Sequence, residues 1–135
     1  MQLENLYKIA EENNITVTDF PLPVSKSLAL LDESGSCHVA IDRGQIASEG
    51  EEKVQLSHEL GHCIQGAFYN RYSRLDLISR HEHRADTWSI RALIPADELR
   101  KAVTQGNTEF WQLAEYFDLP EHFVREAVSY YERIK

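Results

Sequence analysis

His58 and His62 stand four residues apart with Glu59 beside the first of them, in the run His58-Glu59-Leu60-Gly61-His62. On an α-helix that spacing projects both imidazoles from one face. The pair can then share a tetrahedral zinc ion at about 2.0–2.1 Å from each nitrogen. Glu59 falls beside the metal, where a carboxylate can accept a proton from attacking water. The chemistry implied is metal-assisted hydrolysis of an amide, with Glu59 returning the proton to the departing amine.

A catalytic zinc ordinarily takes three protein ligands and keeps a fourth position open. The downstream candidates are Asp76, His81, Glu82, His83 and Asp86. Glu82 suits the role best, because Asp86 lies one turn further along the same helical face. Glu82 can then bind the metal while Asp86 accepts the outer N–H of a ligating histidine, fixing its tautomer. The competing reading pairs Glu82 and Asp86 with Arg80, Arg84 or His83 on a solvated face. The oxyanion needs a second electrophile; Tyr69, Tyr72, His83 and Arg84 are near in sequence, and nothing ranks them.

His58-Glu59-Leu60-Gly61-His62, Glu82-x-x-Ala85-Asp86 and Ala92-Leu93-Ile94-Pro95 together resemble the ImmA/IrrE metallopeptidases across about residues 45–95. The resemblance implies a zincin-like core of the gluzincin type, with zinc on His58, His62 and Glu82 and with Glu59 catalytic. It also implies a phage or mobile-element setting and a helix-turn-helix repressor, encoded nearby, as the protein substrate. Two departures stand out. Trp88-Ser89 replaces the usual Phe-Ala, and Cys63-Ile64-Gln65-Gly66 occupies the stretch where a further histidine is often found.

The elements that must position these residues can be read from periodicity. Residues 2–13 show one apolar helical face, through Leu3, Leu6, Tyr7, Ile9 and Ala10. Ile15-Thr16-Val17 is a short strand, and Pro21 and Pro23 impose an irregular segment after it. Residues 27–31 and 37–41 form a hairpin across the polar turn Asp32–Ser36. Strand 37–41, if it lies at a sheet edge, offers a place for a substrate peptide to add. Ser48 and Glu51 make a capping box for the zinc helix, which should run to about Phe68. A loop over 69–79 then leads to helices over 80–93, 96–104, 108–117 and 120–133. Gly61 calls for close approach of another backbone, while Trp88 and Trp111 read as core aromatics. The fold class is α+β: a small antiparallel sheet packed on the HExxH helix, with a helical C-terminal half.

A chain of 135 residues, 42% hydrophobic and 27% charged, suits one metallopeptidase domain over residues 1–135. The amphipathic start and the lack of any long apolar run suggest neither export nor membrane insertion, and so a cytoplasmic protein. Cys37 and Cys63 are then expected as reduced thiols, with Cys63 buried as a small hydrophobe. The net charge of −8 argues against direct nucleic-acid binding. Residues 109–128 imitate a helix-turn-helix only weakly, given Leu119-Pro120 and few basic residues. The remaining alternative to an endopeptidase is a zinc-containing regulator that acts by binding a transcription factor without cutting it.

Overall fold

The structure, a computed structural model, describes residues 1–66, 68 and 74–134. A helix, α1 (Leu3–Glu12), precedes three strands, β1 (Thr16–Asp19), β2 (Ser27–Leu31) and β3 (Cys37–Ile41). Among the described residues five α-helices follow: α2 (Glu49–Gln65), α3 (Leu75–Leu93), α4 (Ala96–Thr104), α5 (Phe110–Phe117) and α6 (Glu121–Ile134). The class is α+β, as expected. No helix among the described residues is long and apolar enough to cross a membrane.

The sheet order is β1-β3-β2. The β2–β3 hairpin is antiparallel, with Ser27 opposite Ile41 and Leu31 opposite Cys37. β1 instead joins β3 in parallel, so the sheet is mixed rather than wholly antiparallel. A parallel neighbour needs a long crossover, and the irregular Pro21–Pro23 segment with β2 supplies it. β3 is therefore the central strand, and the free edge on the hairpin side belongs to β2. In β3, Cys37, Val39 and Ile41 alternate inward and are buried, the period expected of a strand with one face on a core. Asp32 closes the hairpin turn by accepting the backbone N–H groups of Ser34 and Ser36 at 2.9 and 3.0 Å.

Cys37 and Cys63 form a disulfide, which corrects the expectation of two reduced thiols. The reason is spatial. β3 begins where the last turn of α2 passes, and the two Cα atoms lie 5.8 Å apart, inside the range a bridge can span.

Ser48 caps α2 as expected, its Oγ accepting the Glu51 N–H at 3.1 Å. Glu51 reaches past the cap residue to the Ala47 N–H instead of closing the box on Ser48. The helix ends at Gln65, short of Phe68, because Gly66 adopts φ +63° and caps it in the left-handed region. α3 starts at Leu75 rather than residue 80, with Asp76 in its first turn where the helix dipole favours an acid; residues 75–79 are thus helix and not loop. Lys53, almost fully buried, donates to the backbone and side-chain oxygens of Asp118, both at 3.3 Å, and so ties α2 to the end of α5. Trp88 packs against the core, but Trp111 is exposed. α5 is only eight residues long, and Leu113 and Phe117 carry its buried face.

Candidate metal and catalytic site

α2 crosses α3 at a point with almost no side chain between the backbones. A Cβ on Gly61 would sit 2.7 Å from the Ala85 carbonyl oxygen and 3.0 Å from its Cα. Only glycine tolerates that approach, which outweighs its cost of about 1 kcal/mol in a helix interior. One turn away along the same crossing, the buried hydroxyls of Ser57 and Ser89 hydrogen-bond to each other. Ser89, a departure from the family pattern, is therefore a satisfied polar residue in the core.

The tight crossing lets side chains on either side of it converge. His58 and His62 of α2 bring their Nε2 atoms to 3.2 Å. From α3, Glu82 places Oε2 3.1 Å from His58 Nε2 and Oε1 3.0 Å from His62 Nε2. A four-coordinate ion with bonds of about 2.0–2.1 Å holds neighbouring donors about 3.3 Å apart by tetrahedral geometry. The His–His–Glu triangle thus has the size and the donor chemistry to hold such an ion on one side and leave the other open. His58 Nδ1 lies 2.8 Å from Asp86 Oδ1, which fixes the tautomer with Nε2 facing the triangle.

Burial works to lower the His58 pKa, but the hydrogen bonds its ring donates to Asp86 and Glu82 outweigh it and raise the group to about 10. Without a metal the ring thus favours the doubly protonated, cationic form. Glu59 is 7% exposed, and its carboxylate lies within 4.8 Å of the ligand nitrogens of His58 and His62. Burial raises its pKa, opposed by a hydrogen bond from Ser27 and by the two histidines.

The triangle opens into a cleft of about 350 Å³, lined among others by Ser27, Leu28, Ala29 and Phe68. β2, not β3, forms its strand wall, and β3, being central, offers no free edge, which corrects the placing of a peptide along strand 37–41. Of the other third-ligand candidates, Asp86 groups with His58 and Glu82 but meets Nδ1 of the His58 ring, not its Nε2. Asp76 pairs with Arg74 at 3.3 Å, and neither His81 nor His83 belongs to a donor group among the described residues. Of the residues considered for the oxyanion, His83 lines a different surface groove, and Arg84 donates to the Gln65 carbonyl at 2.9 Å, closing the end of α2. Tyr69 and Tyr72 lie outside the described residues. Sequence reasoning missed Ser27, Gln55 and Phe68, because a serine opening a strand carries no spacing signal that ties it to a helix.

Comparison with protein families finds that the model of the Peptidase_M78 family, IrrE N-terminal-like domain, matches residues 10–129. No curated protein matches the chain.

Proposed function

The chain belongs to this IrrE N-terminal-like peptidase family, a metallopeptidase type, and from that premise we propose that it is a zinc-dependent endopeptidase of the gluzincin type. The observation that carries the proposal is the His58–His62–Glu82 triangle with the Glu59 carboxylate beside it. In this reading His58 and His62 bind zinc through Nε2, Glu82 is the third ligand, and Asp86 orients His58. Zinc, when bound, supplies Lewis acidity that polarises a carbonyl and brings the pKa of water down to about 7. Glu59 is the general base: it takes a proton from the attacking water and delivers it to the leaving amine. The substrate chain adds as a strand along the free edge of β2, which sets its carbonyl beside Glu59.

The substrate we propose is a helix-turn-helix repressor of a phage or mobile element, met in the cytoplasm. The test is incubation of the zinc-loaded protein with the repressor encoded beside it, against the Glu59→Gln variant. Cleavage should fall by about a hundredfold to ten-thousandfold in the variant, with zinc stoichiometry unchanged. Should the variant still relieve repression in cells, the protein acts by binding its partner and the peptidase reading fails.

A further inference from the structure

Three residues of α2 recur every four positions on the side facing the sheet: Glu51, Gln55 and Glu59. Each meets the start of β2. Glu51 pairs with Lys26, and Ser27 Oγ lies 2.6 Å from both Gln55 Oε1 and Glu59 Oε2. Ser27 and Glu59 are both buried, each 7% exposed. The strand end is itself fixed, since Ser27 pairs with Ile41 and the Asp42 N–H donates to the Lys26 carbonyl at 2.9 Å.

We infer that Ser27 is a positioning residue for Glu59, clamping one oxygen of the base to the strand that walls the cleft. A hydroxyl carries one proton and two lone pairs. The carboxylate, as the stronger acceptor, takes that proton. Gln55 then turns its amide so that an N–H points at Ser27 Oγ, giving a relay from Gln55 through Ser27 to Glu59. With Oε2 held, the three side-chain torsions of Glu59 lose their freedom, and Oε1 is left to receive a proton. Because the clamp sits on β2, the base and the proposed peptide-binding edge are held in one mutual geometry. A serine buried only for packing would not need two partners on successive turns of the same helix.

The inference rests on Glu59 being the base, so the probe should report on that carboxylate without requiring proteolysis. Acetohydroxamate serves: as it chelates zinc, its O–H proton passes to the neighbouring carboxylate, which then hydrogen-bonds the bound anion. In the zinc-loaded full chain, Ser27→Ala should weaken acetohydroxamate binding about tenfold, the scale of a lost hydrogen bond to a charged group. Ser27→Thr, which keeps the hydroxyl, should restore binding to within about twofold of wild type by the same reasoning. The deciding arm is a double-mutant cycle: on a Glu59→Gln background, Ser27→Ala should change affinity less than about twofold. Equal losses on both backgrounds, or no loss with Glu59 intact, would overturn the inference. Where the repressor is cut, Ser27→Ala should lower kcat with KM unchanged. If zinc-loaded wild type cuts nothing, the peptidase reading fails while the hydroxamate cycle still decides the role of Ser27.

Discussion

The α2–α3 crossing and the α5–α6 pair are both packed helix pairs, yet only one of them gathers polar groups. α5 and α6 meet through Leu113, Phe117, Phe123, Val124 and Ala127, all buried. Large apolar side chains fill that contact, and its cations stay at the rim, as where Arg125 lies 4.4 Å over the Phe110 ring. At the α2–α3 crossing Gly61, Ala85, Ser57 and Ser89 occupy the contact. Small residues there bring the two backbones together, and the longer side chains beside them reach one point. Close backbone spacing is what assembles His58, His62 and Glu82; burial alone would not have done so.

If that contrast is right, the two contacts should fail differently. Phe123→Ala removes a buried ring from the apolar pair and should cost about 3–5 kcal/mol of stability. Zinc affinity, measured by competition with a chromophoric chelator, should stay within about threefold, since distant sites act independently. A parallel loss of zinc would mean that the C-terminal helices shape the metal centre directly. Gly61→Val is the reciprocal change and should cost less in stability, about 2–3 kcal/mol of overpacking. Its distinctive effect is on the donors. The new side chain wedges against the Ala85 backbone, three residues from Glu82 and beside His62, so zinc affinity should fall at least about tenfold. Stability lost with zinc affinity intact would show that the close approach does not set the triangle.

The same contrast explains what could be read from the sequence. The HExxH spacing has meaning only on a helix, and Ser48 marked that helix start, so His58, Glu59 and His62 were legible together. Glu82 and Asp86 were legible as a face one turn long, although the start of their helix was not: Arg74 offers no side-chain cap. Gly61 could be foreseen as a close approach because a mid-helix glycine demands a reason. The parallel placement of β1 and the central place of β3 were not legible, since strands this short carry periodicity but no partner. The Cys37–Cys63 bridge depends on β3 meeting the last turn of α2 across a sequence separation of 26, which spacing does not encode. Ser27 belongs to this class too. Its partners Gln55 and Glu59 are 28 and 32 residues away, and only the fold brings the stripe of α2 against the start of β2.

The smallest effect should come from Asp86, which touches the site only through His58. Asp86→Asn removes the charge behind Nδ1 and should lower zinc affinity about tenfold to a hundredfold, the range for a lost orienting carboxylate. The pH dependence sharpens this, and its sign follows from the raised pKa. In the metal-free wild type His58 titrates near 10, so at pH 8 it is protonated and zinc uptake must displace about one proton from it. Metal-free stability from this group is likewise fully present below the ordinary histidine value of about 6.5 and is lost as pH rises through 10. Without the Asp86 carboxylate the ring loses the hydrogen bond and the charge that most favour its proton, leaving burial to push the pKa down against Glu82 and Glu59. Calorimetry in two buffers of different ionisation heat should therefore show fewer protons released by the variant at pH 8. The variant's affinity deficit should also be smallest near pH 7, where the wild-type ring holds its proton more firmly than the variant's does, and should widen to its full size towards pH 10 as wild type sheds that proton. A deficit that is constant across this range, with equal proton release, would mean that Asp86 only braces the ring mechanically and does not set its charge.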